Sequence, residues 1–174
     1  MAAFLKTGVQ GVSEGTHYTK ATTGCAAIAC PIVQECRRRK VNTHDVIIGS
    51  IFHQSQRAIE DYDKAIQLDP DDAWAYSGRG YAYRALGLHQ RAIQDYDKAI
   101  QLQPSAKNYL NRGVDYSWLG DNQAAIDDYT KAIQLDRFYA VAYNNRSIAY
   151  GKLGQDKLAD ADKTVACSLD SQYC

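Results

Sequence analysis

Cys25, Cys30, Cys36 and His44 are the nearest this chain comes to a metal-ligating set. A structural zinc site usually takes its ligands from closely spaced pairs such as CxxC, because one turn must offer two ligands to a single ion. None of these spacings fits, so no metal is expected and the three cysteines read as unpaired thiols. Gly24-Cys25 resembles a lipidation signal only in part, since no apolar stretch precedes it and Thr22 stands where leucine belongs. The other histidines, His17, His53 and His89, are scattered, and none lies beside a nucleophile and a carboxylate in a recurring order. No catalytic residue, and so no enzyme, is expected. Acidic pairs such as Glu60-Asp61 and Asp127-Asp128 recur with a longer period, which assigns them to a helical surface rather than to paired catalytic acids. The basic run Arg37, Arg38, Arg39, Lys40 could meet a polyanion, but without interleaved aromatics it reads as a solvated tail, and no nucleic acid partner is expected.

One charged pattern does recur. Arg79, Arg112 and Arg146 are each followed sixteen residues later by an aspartate, at Asp95, Asp128 and Asp162. Side chains that far apart in sequence can meet if the chain folds back on itself as an antiparallel helix pair. A partly buried ion pair in each copy is the expectation, and a solvated surface pattern is the alternative.

The elements that would position those pairs are written in a repeated phrase. QRAIEDYDKAIQLDP returns as QRAIQDYDKAIQLQP, as QAAIDDYTKAIQLD and, decayed, as KLADADKTVACSLD. Ala58, Ala92, Ala125 and Ala159 mark the beat at intervals of 34, 33 and 34 residues, the period of a stacked helical array. Each phrase spaces its apolar residues as an amphipathic helix does, for example Ala58, Ile59, Tyr62, Ala65 and Ile66. A second helix precedes it in the complete copies, as in Tyr76, Gly80, Tyr83 and Leu86. Small residues at Gly80, Gly113, Ala92 and Ala125 allow the two helices to approach closely. Gly87, Gly120 and Gly154 stop the first helix of each copy, and Pro70 and Pro104 end the second. Arg137 stands where a third proline would, so that helix must end by other means and less sharply.

Length, charge and composition agree with a folded array. The chain has 174 residues, 45% of them hydrophobic, and a formal net charge of zero. Residues 1–55 hold six Lys/Arg against three Asp/Glu, and the remainder fourteen against seventeen, too even a balance for a phosphate track. Five cysteines, an odd number without a CxxC pair, do not suggest a secreted disulfide framework. No apolar run reaches the length of a membrane span, and the first thirty residues hold no continuous signal-like stretch, which leaves a cytosolic location as the default expectation.

The pattern Tyr, Gly, Tyr, Leu-Gly, Ala, Tyr, Ala, Pro resembles the tetratricopeptide repeat, in the variety reading NRGxxYxxLGxxxxAIxDYxKAIxLDP. The resemblance implies an all-α fold, a right-handed superhelical array of antiparallel helix pairs forming a tetratricopeptide-type solenoid. Complete repeats are expected at about 73–104, 106–137 and 140–170, after a half repeat at 56–70. The half repeat lacks its first helix signature: Asp45 occupies the arginine position sixteen residues before Asp61, and no Gly or Pro separates Phe52 from Gln56. One long helix back to about Thr43 is therefore expected, with Val41, Ile48, Ile51 and Phe52 as an apolar stripe packing on the array. The repeat domain would span 43–174 and residues 1–42 would be a poorly ordered or unrelated leader, although a different start site or reading frame would cause the same abrupt loss of the repeat. In the last copy Asp160 and Lys163 replace Ile and Tyr, as a terminal, self-capping helix requires.

The resemblance also implies a function. Arrays of this kind bind an extended peptide or a helix of a partner protein in a concave groove lined by the first helix of each pair, with no cofactor. Carried over by position, the lining residues are Trp74, Ser77, Gly78, Tyr81 and Arg84, then Lys107, Leu110, Asn111, Val114 and Trp118, then Val141, Asn144, Asn145, Ile148 and Lys152. Asn111 and Asn145 are placed to grip a peptide backbone through their carboxamides, and Tyr81 and Trp118 to add aromatic contact, unless those rings cover seams between repeats. The subclass that clamps the acidic C-termini of heat-shock chaperones needs Lys, Asn, Lys and Arg where this chain has Ser77, Tyr81, Val141 and Asn145. An alternative function is that of a structural module, self-associating or docking in a larger assembly through the incomplete N-terminal repeat.

Overall fold

The computed structural model describes residues 43–174, with side chains from Phe52 onward. The expected leader, Cys25, Cys30, Cys36, the basic run at 37–40, Val41 and the side chains of His44, Ile48 and Ile51 lie outside the described residues. Among the described residues seven α-helices follow one another: α1 (Thr43–Leu68), α2 (Ala73–Ala85), α3 (His89–Leu102), α4 (Ala106–Trp118), α5 (Asn122–Leu135), α6 (Ala140–Lys152) and α7 (Asp156–Leu169). A 3-10 turn at Ser171–Tyr173 closes the chain, and no strand occurs among the described residues. Residues 54–174 form one compact unit. Within it α2 pairs with α3, α4 with α5 and α6 with α7, and each pair packs on the next through α3 against α4 and α5 against α6.

The local causes of these boundaries are visible. Asp72, Ser105 and Asp121 cap α2, α4 and α5 by accepting backbone N–H bonds, at 2.9 Å from Trp74, 3.2 Å from Asn108 and 3.0 Å from Ala124. The first helix of each complete pair ends at a glycine in the left-handed region, with φ of 73° at Gly87, 84° at Gly120 and 71° at Gly154. The N–H one residue beyond each glycine returns to the turn, Leu88 to Tyr83 at 2.9 Å, Asp121 to Tyr116 at 3.0 Å and Gln155 to Tyr150 at 3.0 Å. Arg137 does not loosen the end of α5, contrary to expectation. That helix stops at Leu135, the same column as Leu102, because the Asp136 carboxylate accepts the Phe138 N–H at 3.0 Å and forms the turn that proline makes elsewhere. α1 runs through Gly49 without a break, but its Phe52 is 49% exposed rather than buried in an apolar stripe.

The core is built from few atom types repeated. Ala92, Ala99, Ala125, Ala132, Ala142, Ala149 and Ala166 are fully buried, and Ile93, Ile126, Tyr96 and Tyr129 fill the space between them. Each buried isoleucine contributes roughly 2 kcal/mol from area removed from water. The alanines set the spacing, and so do two glycines. A Cβ on Gly113 would sit 2.8 Å from the Tyr129 ring, and one on Gly80 would sit 3.2 Å from the Tyr96 ring. In α7 the columns change as the sequence suggests: Asp160 and Lys163 face solvent, and only Asp162 and Ala166 are buried. One covalent feature escaped the cysteine count. Cys167 and Cys174 form a disulfide that ties the last turn of the chain to α7, since an odd total does not prevent one local pair.

Candidate functional site

The spacing of the carried-over residues decides where they land. Trp74, Ser77 and Tyr81 step by three and four along α2, Lys107, Asn111, Val114 and Trp118 along α4, and Asn145, Ile148 and Lys152 along α6, so each set shares one helix face. The structure gathers the first two sets and the last two around adjoining cavities. Trp74, Ser77, Tyr81, Lys107 and Asn111 line one of about 460 Å³. Val114, Trp118, Asn145, Ile148 and Lys152 line a second of about 500 Å³. Trp74 is 74% exposed, Tyr81 60% and Trp118 71%, so these rings face solvent, and Trp118 also stacks on His89 of the preceding repeat.

Four carried-over positions line neither cavity: Arg84, which lies over the Tyr81 ring, and Leu110, Val141 and Asn144. Leu110 is buried in the core with Ala125 and Ile126, and Val141 packs against that same cluster. Both stand at the edge of the groove stripe, where a helix of 3.6 residues per turn leaves the side to be settled by the neighbouring helix. Asn144 accepts a hydrogen bond from Lys163 on α7 at 3.3 Å and lines neither cavity. Conversely, Tyr62 from α1 and Tyr129 from α5 reach the cavities from second helices that the position rule leaves out. Gly78 lies directly against the Tyr62 ring, with no room for a side chain between them.

The groove carries its own polar network. Ser77 Oγ donates to Asn108 Oδ1 at 2.7 Å, and Lys152 Nζ donates to Ser117 Oγ at 3.1 Å. Arg84 lies 4.9 Å from the centre of the Tyr81 ring and donates through Nη1 to Asn111 Oδ1 at 3.2 Å. The carboxamide oxygen of Asn111 is thus occupied, and Asn111 is itself buried. Neither cavity is lined by a carboxylate, although the unit as a whole carries an excess of Asp/Glu. Lys107 and Lys152 make the groove the cationic part of an acidic array.

Below the groove runs the arginine column. Arg79 grips Asp95 with two parallel bonds, Nε to Oδ2 at 2.8 Å and Nη2 to Oδ1 at 2.7 Å. Arg112 holds Asp128 in the same way at 2.8 and 2.6 Å, and Arg146 holds Asp162 at 2.7 and 2.8 Å. Each guanidinium also reaches back to the preceding repeat through Nη1, to Asp63 at 2.6 Å, Asp97 at 2.6 Å and Thr130 at 2.9 Å. Two tyrosines flank each one, Tyr76 and Tyr83 for Arg79, Tyr109 and Tyr116 for Arg112, Tyr143 and Tyr150 for Arg146. The Asp partners hold all three guanidinium pKa values above their ordinary range, against the desolvation that would lower them. Burial pushes the Asp128 carboxyl up while Arg112 pulls it down. The same arginine therefore closes a helix pair and binds it to the pair before.

A fourth buried carboxylate has no counterpart in the other copies. Asp115 is fully buried, with Oδ1 2.7 Å from His89 Nδ1, and the His89 ring stacks on Trp118 with centroids 5.6 Å apart. No hydroxyl or thiol nucleophile bonds to His89, and no cluster of three metal-ligating side chains occurs among the described residues. None of their helices is long and apolar enough to cross a membrane.

Comparison with known proteins accords with this geometry. The sequence model described as TPR repeat matches residues 54–87, and that described as tetratricopeptide repeat matches 73–105 and 106–139. No curated protein matches the chain by sequence. Among solved structures, the Arabidopsis OM64 TPR domain is 31% identical over 57% of this chain and 84% of that one, with a TM-score of 0.56. MamA is 29% identical over 65% of this chain and 67% of that one, with a TM-score of 0.63. The second TPR domain of human RPAP3, solved in complex with an HSP70 peptide, is 29% identical over 57% of this chain and 83% of that one, with a TM-score of 0.56. With the period, the glycine caps and the helix pairs all in place, the chain belongs to the tetratricopeptide repeat family.

Proposed function

We propose that this protein is a non-catalytic adaptor that holds a peptide or helix of a partner protein in the groove formed by α2, α4 and α6. The observation that carries the reading is the gathering of ten carried-over side chains around two adjoining cavities, with three of the aromatic rings left largely bare. Exposed tryptophan and tyrosine give large contact area at low entropic cost, which is how binding surfaces concentrate their energy. The amides of Asn108 and Asn145 and the cations Lys107 and Lys152 supply donors for backbone carbonyls and carboxylates of an extended segment. A tetratricopeptide domain of similar fold, the second of human RPAP3, was solved in complex with an HSP70 peptide, which supports peptide binding here.

Affinity capture with the full chain tests this. Partners retained by the wild type should be lost from a Trp118→Ala, Asn145→Ala double variant that keeps its helical circular dichroism. Equal retention by both would remove the groove from the account.

A further inference from the structure

The three complete repeats agree at many buried columns, and where they part only one departure puts in a carboxylate. Asp115 occupies the column held by Ala82 in the first repeat and Ala149 in the third, and all three are buried. A carboxylate at a site where a methyl group suffices is costly unless it is paired. Here it is half paired: Oδ1 meets His89 Nδ1 at 2.7 Å, while Oδ2 is buried without a hydrogen-bond partner. The hydroxyl of Tyr96, also fully buried, lacks a partner too. His89 belongs to the same exception, for its column holds Asn122 in the second repeat and Asp156 in the third. The imidazole in turn lies flat on Trp118, with an interplanar angle of 8°, and Trp118 stands in the groove. A buried acid, a histidine and an exposed tryptophan thus form one chain from the junction of α3 and α4 to the binding face.

We propose that His89, Asp115 and Trp118 form a proton-sensitive latch between the first and second complete repeats. Because a carboxylate only accepts, His89 presents Nδ1–H to Asp115, and the nitrogen left to gain or lose a proton to solvent is Nε2. Protonation turns a hydrogen bond from a neutral imidazole into an ion pair with the buried carboxylate and puts a positive charge against the Trp118 ring. The groups facing Asp115 from the packed elements are Arg84 on α2, His89 and Tyr96 on α3, and Tyr129 on α5. Of these types only an imidazole ordinarily changes charge between pH 5 and 8. Asp115 works in the same direction. Its carboxyl is held above the usual carboxylate range by burial, with His89 and Arg84 pulling it back. A folded state that binds a proton more tightly than the unfolded chain is favoured at low pH and loses that advantage as pH rises from the unfolded carboxyl value through the folded one. The junction should tighten on acidification.

The latch stands whatever the groove binds, and it is read in the protein alone. With Trp74→Phe, emission comes from Trp118 only, and an imidazolium stacked on an indole quenches it. Emission should fall as pH drops from 8 to 5.5 and stay flat in Trp74→Phe, His89→Asn. In melting experiments the wild type should gain on Asp115→Ala by about 3 °C between pH 7 and pH 4.5. A Trp118 emission that does not respond to pH, or a difference in melting temperature between wild type and Asp115→Ala that does not change with pH, would overturn the proposal. Should Asp115→Ala not fold, the emission titration of Trp74→Phe decides alone.

Discussion

The junction between the first and second complete repeats and that between the second and third have the same helices in the same places, yet they are held by different chemistry. At the first, Arg112 reaches back to the carboxylate of Asp97, Arg84 to Asn111, and His89 to a buried aspartate. At the second, Arg146 reaches back to the hydroxyl of Thr130, Lys152 to the hydroxyl of Ser117, and the aspartate's column is Ala149. The first junction adds a carboxylate bridge and a buried His–Asp pair to its hydroxyl bond from Ser77 to Asn108, whereas at the second the cations meet only hydroxyls over an alanine core. The shared part, the bidentate arginine to aspartate bond within each pair, belongs to the fold. The unshared part is where a specific property of this chain can reside.

Removing the shared part should have the largest effect and test whether the junctions differ at all. Arg112→Ala leaves Asp128 buried and Asp97 without its cation, and should cost about 4 kcal/mol. Arg146→Ala strands only Asp162, since Thr130 is neutral, and should cost about 3 kcal/mol. Urea unfolding of both variants checks the order, and the reverse order would refute the charged junction as the stronger one.

Next comes the approach of the helices within each pair. Gly113→Ala places a methyl 2.8 Å from the Tyr129 ring and Gly80→Ala one 3.2 Å from Tyr96. The first should destabilise by about 2 kcal/mol and the second by about 1 kcal/mol, measured by the same unfolding curves. The smallest effect belongs to the partner of the inter-repeat bond. Asp97 is 51% exposed, so Asp97→Ala should cost only about 0.5 kcal/mol, and the loss should shrink in high salt. Thr130→Val should show no such salt dependence.

What could be read from the sequence follows the same division. Everything carried by the period was legible, because a column that repeats at 33 or 34 residues reports the same environment each time. Gly87, Gly120 and Gly154, the arginine to aspartate register and the helix faces bearing Trp74, Lys107 and Trp118 are of that kind. Leu110 and Val141 were misplaced because a residue at the rim of a helix stripe turns inward or outward according to a neighbour that the repeat does not encode. The tyrosines beside each arginine were present in the same columns, but a flat ring over a guanidinium leaves no spacing of its own to find. His89 and Asp115 lie in different columns of different repeats, so His89 read as one of several scattered histidines and Asp115 did not stand out. The signal that could have found them was Asp115 itself, an acid in a column of alanines. Cys167 and Cys174, outside any column, gave no periodic signal.

The central claim is that the face formed by α2, α4 and α6 receives a protein segment, and site-specific photo-crosslinking in the full chain tests it most directly. A photoreactive phenylalanine analogue at Trp118 should join the protein to its partner in high yield, and the same analogue at Lys131, exposed on α5 and outside both cavities, should not. Crosslinks that form at Lys131 and not at Trp118 would contradict the account.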